Sequence, residues 1–520
     1  MYRFTTLAFP ALCLALLGGC KDDASGSDNG GTAGSSGTDG NSDSGGDDDA
    51  DDVGTGDSGG GTDNGDTDSV DESDSEGGDT SGGSDGGVDW EAEVEHVSPQ
   101  DRVVNIQLNF AEGDWASMIN GFITTFTKTY RAATFAFDDE SLPEVGARLK
   151  GFSSLLFIMD QEMNFDPTLN FPLKLNFDYY GGERFHHLDK VSLNNNWSDP
   201  SYMRERLTAR AYEAMQVPVA QTAYAGVEVN ETYLGQYTMV QPIDKRFLKS
   251  YYGTTDGMDD GNLYKCSRSE GDHCRLHWYG SNKADYVTTD CPEGYEECGL
   301  LLKTNEDDPL LNDYADLIAL LDVVNNTSDA EFAAQIEDVF EVDSFLRLAA
   351  VTIGLSSFDS YFGMANNYSL YHRPDTDRFE MIPWDLNMSY GGFSCGHPGD
   401  PDPSIPGSDM TQAAVDGTFC RSWSEQYPLA ERILAMPAYL ATYQGYLRDV
   451  ANNVLTDQQQ SQWIAEFDAL IGGGIAADPN YPGGPGEYFE AISANPTFEW
   501  YRYNLMDFVQ RRRVFILEHT

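Results

Sequence analysis

The sequence predicts an α+β fold, and three observations carry that reading. Runs with apolar residues at every second position fill the first half of the folded part. Runs with helical spacing fill the second half. The two kinds do not alternate as strand–helix–strand units, which would have signalled a parallel sheet. No internal repeat is visible. About 430 residues lie beyond Trp90, more than one simple core usually holds, so two lobes or a core with insertions is expected.

The strands come first. Residues 103–110 (Val-Val-Asn-Ile-Gln-Leu-Asn-Phe) alternate with period two, as do the stretches near 130–137 and 171–177. A helix is expected to start at Asp199-Pro200, a cap followed by a first-turn proline. Met203, Leu207 and Ala211 then fall on one face, and the helix stops by Val217-Pro218. Stretches 224–229 and 233–240 flank Asn230-Glu231-Thr232 and read as a hairpin. Helical spacing then dominates at 313–324, 331–339, 343–355, 429–454 and 457–471. One later strand, 379–382, runs into Pro383-Trp384-Asp385.

Charge and composition narrow the function classes. The chain has 520 residues, with 86 Asp or Glu against 31 Lys or Arg, a formal net charge of −55. Nucleic acid is excluded as a partner, because phosphate backbones are held by clustered basic residues. Residues 21–88 are almost wholly Gly, Asp, Ser and Thr, with no aromatic residue. Such a segment cannot offset its ordering entropy by burial, and its like charges extend it. No Asp-x-Asp-x-Asp-Gly loop with a closing Glu makes it a calcium site. A solvated tether is the expectation.

Ahead of the tether, Met1-Tyr2-Arg3 and an apolar run ending Leu16-Leu17-Gly18-Gly19-Cys20 have the proportions of a signal peptide. The small residues before Cys20 resemble a bacterial lipobox, in which Cys20 becomes the lipidated first residue. An export signal that merely contains a cysteine is the alternative. The expected organisation is a signal at 1–19, a linker at 20–88 and a folded domain at 89–520. Lys21 carries no inner-membrane retention signal, so an anchor in the outer membrane or at the cell surface is expected. Six further cysteines (266, 274, 291, 298, 395 and 420) fit disulfides in an exported protein, with local pairs 266–274, 291–298 and 395–420 suggested by spacing. A zinc site is the competitor, but no Cys-x-x-Cys pair is present.

Four stretches could carry chemistry. Arg148-Leu149-Lys150-Gly151-Phe152-Ser153-Ser154 is a strand end entering a Gly-Ser turn whose amides could cradle phosphate; a purely structural turn is the commoner reading of such a stretch. Lys174 lies between Leu173 and Leu175, so alternation puts it on the opposite face, more often solvent than pocket. Asp359 precedes Asn366-Asn367 and an aromatic strand, and the two could supply a base and a metal ligand. Asp385 stands just beyond a buried strand, a usual place for a hard ion such as Mg²⁺. Asx residues also end strands for purely local reasons.

Together these stretches resemble the spore coat CotH-type kinase family, whose fold is similar to that of protein kinases. The resemblance covers nearly all of 100–520. It runs through Asp114-Trp115, Leu149–Ser154, residues 171–175, Leu193-Asn194 and residues 204–207. It continues through residues 234–237 and 243–248, Asp359-Ser360-Tyr361, Asn366-Asn367-Tyr368 and residues 382–387. The resemblance implies an atypical, two-lobed kinase-like fold with a β-rich first lobe and a helical second lobe. It implies a Mg²⁺-dependent transfer from ATP to Ser or Thr of a surface or coat protein. In that scheme Lys150, Gly151, Ser153 and Ser154 cover the phosphates, and Lys174 pairs with them. Glu205 is the ion-pair partner of Lys174, Asp359 the catalytic acid, and Asn367 and Asp385 the metal ligands. Three departures stand out: an eight-residue step from Asp359 to Asn367, Asn387 where an acid is common, and Gln241 where Glu is common. They keep a second reading open, a catalytically weak surface module that binds a protein or glycan. A glycan hydrolase has no support, since no acid pair is singled out.

Overall fold

The computed structural model describes residues 87–151, 153–158, 166–181, 183–267, 273–289, 291, 297–393, 409–417, 426–481, 485–495 and 503–520. The signal, Cys20, the tether up to residue 86, Phe152 and the 395–420 cysteine pair lie outside them.

Helix α1 (Trp90–Val97) is capped by Asp89, whose carboxylate accepts the Ala92 amide. Strand β1 (Val103–Phe110) follows with the alternating burial its sequence requires. Helix α2 (Asp114–Thr125) comes next, then β2 (Arg131–Phe137) and β3 (Glu140–Leu149). Helix α3 (Ser153–Ile158) precedes β4 (Leu173–Asn176) and β5 (Lys190–Asn194). After α4 (Arg204–Ala214) the hairpin β6 (Thr222–Val229) and β7 (Thr232–Val240) forms as expected. Its tip residues Asn230 and Glu231 both take positive φ, the geometry of a tight two-residue turn. These seven strands close into a barrel in the order β1-β2-β3-β4-β5-β7-β6. The seam is a parallel pairing of β1 with β6. Leucines, valines and phenylalanines from alternate positions fill its interior, and α2 adds Trp115, Met118 and Phe122 to that core.

Helix α5 (Lys245–Tyr252) leads to β8 (Leu263–Ser267), β9 (Val287–Thr288) and β10 (Cys298–Leu302). Helices α6 (Ala315–Asn326), α7 (Asp329–Val339), α8 (Val342–Gly354) and the one-turn α9 (Tyr361–Met364) follow. Strands β11 (Tyr368–Arg373) and β12 (Arg378–Pro383) complete a second sheet, ordered β12-β11-β8-β10-β9. Disulfides join Cys266 to Cys274 and Cys291 to Cys298, both expected from spacing. The chain ends in α10 (Pro428–Leu434), α11 (Pro437–Asp449), α12 (Asp457–Ile475), α13 (Pro485–Ala491) and α14 (Leu505–His519). This sheet and most of these helices share a second apolar core. No described helix is long and apolar enough to cross a membrane.

Two expectations need correction. The helix expected at Asp199 starts at Arg204, because the Asp199 carboxylate is spent on the turn before it. It accepts the amides of Ser201 and Arg204 and pairs with the buried Arg204 guanidinium, which also donates to the Tyr503 carbonyl. The single helix expected over 429–454 is two, broken at Met436 where Pro437 takes the first position of α11.

The barrel is tied to the helical part at β7. Asp478, just past α12, accepts the Gln236 amide at 2.8 Å. Gly235 sits there with φ +130°, and a Cβ would come within 2.5 Å of that carboxylate. Only glycine fits.

Candidate active site

The site is assembled at the end of β3. Leu149, Leu173 and Leu193 stand side by side in register and are buried inside the barrel. Alternation sends Arg148, Lys150, Lys174, Ser192 and Asn194 to the outer face. That face is not open to water: Arg148, Ser192 and Asn194 are buried, and Lys174 is half-buried.

A charged relay runs across it. Lys150 Nζ donates to Asn194 Oδ1 at 2.6 Å, and Asn194 Nδ2 donates to Glu205 Oε2 at 2.8 Å. Glu205 occupies the first turn of α4 and is 3 % exposed. Burial pushes its carboxyl up to about 7, and the negative charge of Asp385 adds to the rise. The Asn194 amide, the Lys150 ammonium and the Leu386 N–H pull it partly back. A bonded route to Glu205 thus starts from Lys150. Lys174 pairs in register with Arg148 and Ser192, one row further from the strand end. Lys150 lies just past Leu149, where the strand ends. Its ammonium also stands 5.7 Å from the ring centre of Trp384, with Lys265 at 5.9 Å from the same ring.

The β11–β12 hairpin delivers one more acid, Asp385, and the amide of Asn367. Its last pair is Tyr368 with Pro383, and one step beyond it the Trp384 amide donates to the Asn367 carbonyl at 2.9 Å. Asn367 and Asp385 therefore emerge from adjacent strand ends, both in the left-handed region at φ +55°. Asn and Asp tolerate that conformation better than bulkier residues. The turn after Asp385 is fastened to α4 by the Thr208–Ser389 hydroxyl pair at 2.5 Å.

Asp359 comes from the loop after α8. Arg512, fully buried in α14, donates to the carbonyls of Ile353, Gly354 and Ala413, fixing the end of α8. Burial lowers the pKa of this guanidinium to about 10. The Asn366 amide donates to the Asp359 carboxylate at 2.9 Å, and the Asn367 amide to the Asp359 carbonyl at 2.8 Å. The eight-residue step between Asp359 and Asn367 is taken up by α9. Asp359, Asn367, Asp385, Glu205 and Lys150 are thus linked through a short chain of bonds and charges.

Gly151 turns the chain at φ +72° before α3, and a Cβ there would lie 2.3 Å from Ser154 Oγ. Nothing of the Ser153 side chain is described. Gln241, one of the departures, is buried and used structurally: its carbonyl accepts the Gln221 amide and its amide donates to Ser250.

The donor set fits a divalent hard cation. Asp385 and Glu205 are carboxylates whose mutual repulsion raises Glu205, and a cation beside them would relieve it. Asn367 uses its Nδ2 on Asp359, which leaves its Oδ1 as an oxygen donor. Asn194 was named in the sequence only as part of the Leu193-Asn194 match, and its role as the bridge from Lys150 to Glu205 was missed.

Comparison with known proteins places the chain in a family. The family model described as CotH kinase protein matches residues 166–516. The inner spore coat protein H of Bacillus subtilis (strain 168) is 25% identical over 213 residues, 41% of this chain and 53% of that protein. The chain therefore spans about half the length of that curated relative. A solved chain from the HipA, HipB and operator DNA complex of Shewanella oneidensis MR-1 aligns with a TM-score of 0.29 at 14% identity, covering 79% of this chain and 78% of that one. With the family match spanning well over half its length, this chain belongs to the CotH kinase protein family.

Proposed function

We propose that this chain is an exported, lipid-anchored kinase that moves the γ-phosphoryl group of ATP to a Ser or Thr hydroxyl of a protein at the cell surface. In this reading the barrel and the helical part are two lobes, with the nucleotide held between them. The observation that carries the proposal is the link from Lys150 through Asn194 to Glu205 and Asp385. It places a cation, a buried acid and a strand-end acid together, as phosphoryl transfer requires.

Each residue then has a task. The Gly151 turn and Ser154 cover the phosphates, and Lys150, with Lys174 behind it, meets their negative charge. Asp385 and Asn367 hold Mg²⁺, with Glu205 alongside. A bound Mg²⁺ would supply charge neutralisation for the phosphate oxygens. Asp359, with one oxygen set by Asn366, orients the acceptor hydroxyl and takes its proton as the new O–P bond forms and the bond to ADP breaks.

Transfer from γ-labelled ATP by the purified chain tests the roles separately. Asp359→Asn is expected to keep Mg²⁺–ATP binding and lower transfer by about 10²–10⁴-fold. Asp385→Asn is expected to lose the binding itself. A wild-type chain that binds no nucleotide would overturn the proposal in favour of a protein- or glycan-binding module. For the anchor, Cys20→Ser should move the protein out of the membrane fraction, and retention there would refute lipidation.

A further inference from the structure

At the other end of β3 three distant segments converge. His96 comes from the last turn of α1, Glu140 opens β3, and His186 lies in the loop between β4 and β5. One ligand atom from each lies within 4.8 Å of the others. The two imidazoles stack with centroids 3.9 Å apart and planes 29° from parallel. Both present Nε2 to one carboxylate: His96 at 2.6 Å from Oε1 of Glu140, His186 at 2.9 Å from Oε2. The remaining nitrogen of His186, Nδ1, lies 2.8 Å from Glu93 Oε2.

The donor count makes this arrangement informative. An ionised carboxylate offers only lone pairs, so with Glu93 and Glu140 charged every ring nitrogen facing them must carry a proton or a cation. Three nitrogens face carboxylates here, and two neutral imidazoles have only two N–H groups. Without a metal, at least one ring must be an imidazolium stacked on its neighbour. A divalent cation bound by both Nε2 atoms and by Glu140 removes that requirement. Glu93 then accepts the Nδ1–H of His186, which is how a metal-binding histidine is held in one tautomer and orientation. The backbone adds a further observation. His186 and His187 form the tip of a tight turn between Phe185 and Leu188, both at positive φ. Histidine is among the residues that take this conformation readily, so the turn holds His186 in place with its ring aimed at Glu140 and Glu93.

We propose that His96, Glu140 and His186 form a Zn²⁺ site, oriented by Glu93, that staples α1 to the barrel. Two imidazoles and one carboxylate are an established zinc donor set. His96 and Glu140 are partly exposed, which gives the ion a route in and leaves room for water as a further ligand. The site shares no residue with the proposed kinase centre.

Co²⁺, a spectroscopic substitute for Zn²⁺, tests this on the full chain. One equivalent should give the visible bands of a four- or five-coordinate nitrogen–oxygen site, and Zn²⁺ should displace it. His96→Ala and His186→Ala should abolish the bands, while His519→Ala, on an exposed histidine of α14 outside the cluster, should keep them. Zn²⁺ should raise the melting temperature of the wild type but not of His186→Ala, whose metal-free melt also shows whether it folds. Glu93→Gln should retain the bands and weaken affinity about 10–100-fold. A wild type without such bands, or bands that survive in His186→Ala, would overturn the proposal.

Discussion

Strand β3 runs from Glu140 to Leu149, and the carboxylates near its two ends titrate in opposite directions. Glu205, reached through Lys150 and Asn194 at the far end, is raised to about 7 by burial and by Asp385. Glu140, at the near end, is lowered, chiefly by its hydrogen bond to His186 and also by that to His96. Both are glutamates with a nitrogen partner, so the side chain alone does not decide the direction. Burial beside a like charge wins at one end, and partial exposure beside two imidazoles wins at the other. The first arrangement stores an unfavourable negative charge that a bound divalent cation would relieve. The second is complete without any nucleotide. That difference separates a site poised for a ligand from one that fastens elements together.

The largest expected effect concerns which lysine serves the nucleotide. Lys150→Met removes the charge bonded through Asn194 to Glu205, and transfer should fall by about 10²–10³-fold. Lys174→Met, one row away, should cost less; the reverse order would give the nucleotide-pairing role to Lys174. The next effect is on stability against pH. Glu205 has a folded pKa above its ordinary 4.5, so its contribution is full below pH 4.5 and lost as pH rises through about 7. Denaturation midpoints of Glu205→Gln should therefore be flatter than wild type across that window, and equal slopes would contradict the buried, raised carboxyl. The smallest effect is Glu140→Gln measured with a chelator present. The Glu140 and His186 side chains are 40% and 25% exposed, so their ion pair should be worth under about 1 kcal/mol. His186 is raised: burial alone would lower it, but its bonds to Glu140 and Glu93 prevail. Its contribution is full below pH 6.5 and fades as pH rises through the raised value. The Glu140 contribution is lost at the other limit, as pH falls through its lowered value.

Much of the fold was legible because it is local. Period-two alternation located β1 and the β6–β7 hairpin, and the helical spacing located α12 from its first residue, Asp457. Asp359, Asn367 and Asp385 were legible as strand and loop ends, and the structure does bring them together. What could not be read depends on contacts far apart in sequence. The parallel seam between β1 and β6 leaves no mark on either strand. The start of α4 was misplaced because Asp199 answers to Arg204, which in turn reaches Tyr503. Lys150 was placed among the phosphate-covering residues, but not beside Glu205, because the bridge is an asparagine forty-four residues away in sequence. The histidine cluster was missed altogether, since its members come from a helix, a strand start and a turn, with no spacing to announce them.

The central claim is that Glu205 and Asp385 form a charge-strained pair awaiting a cation and nucleotide. Calorimetry of preformed Mg²⁺–ATP binding near pH 7, repeated in two buffers of different ionisation enthalpy, tests it most directly. With the Glu205 carboxyl raised to about 7, the wild type should release a measurable fraction of a proton on binding, and Glu205→Gln should release less. Binding with no proton release by the wild type, or equal release by Glu205→Gln, would contradict it.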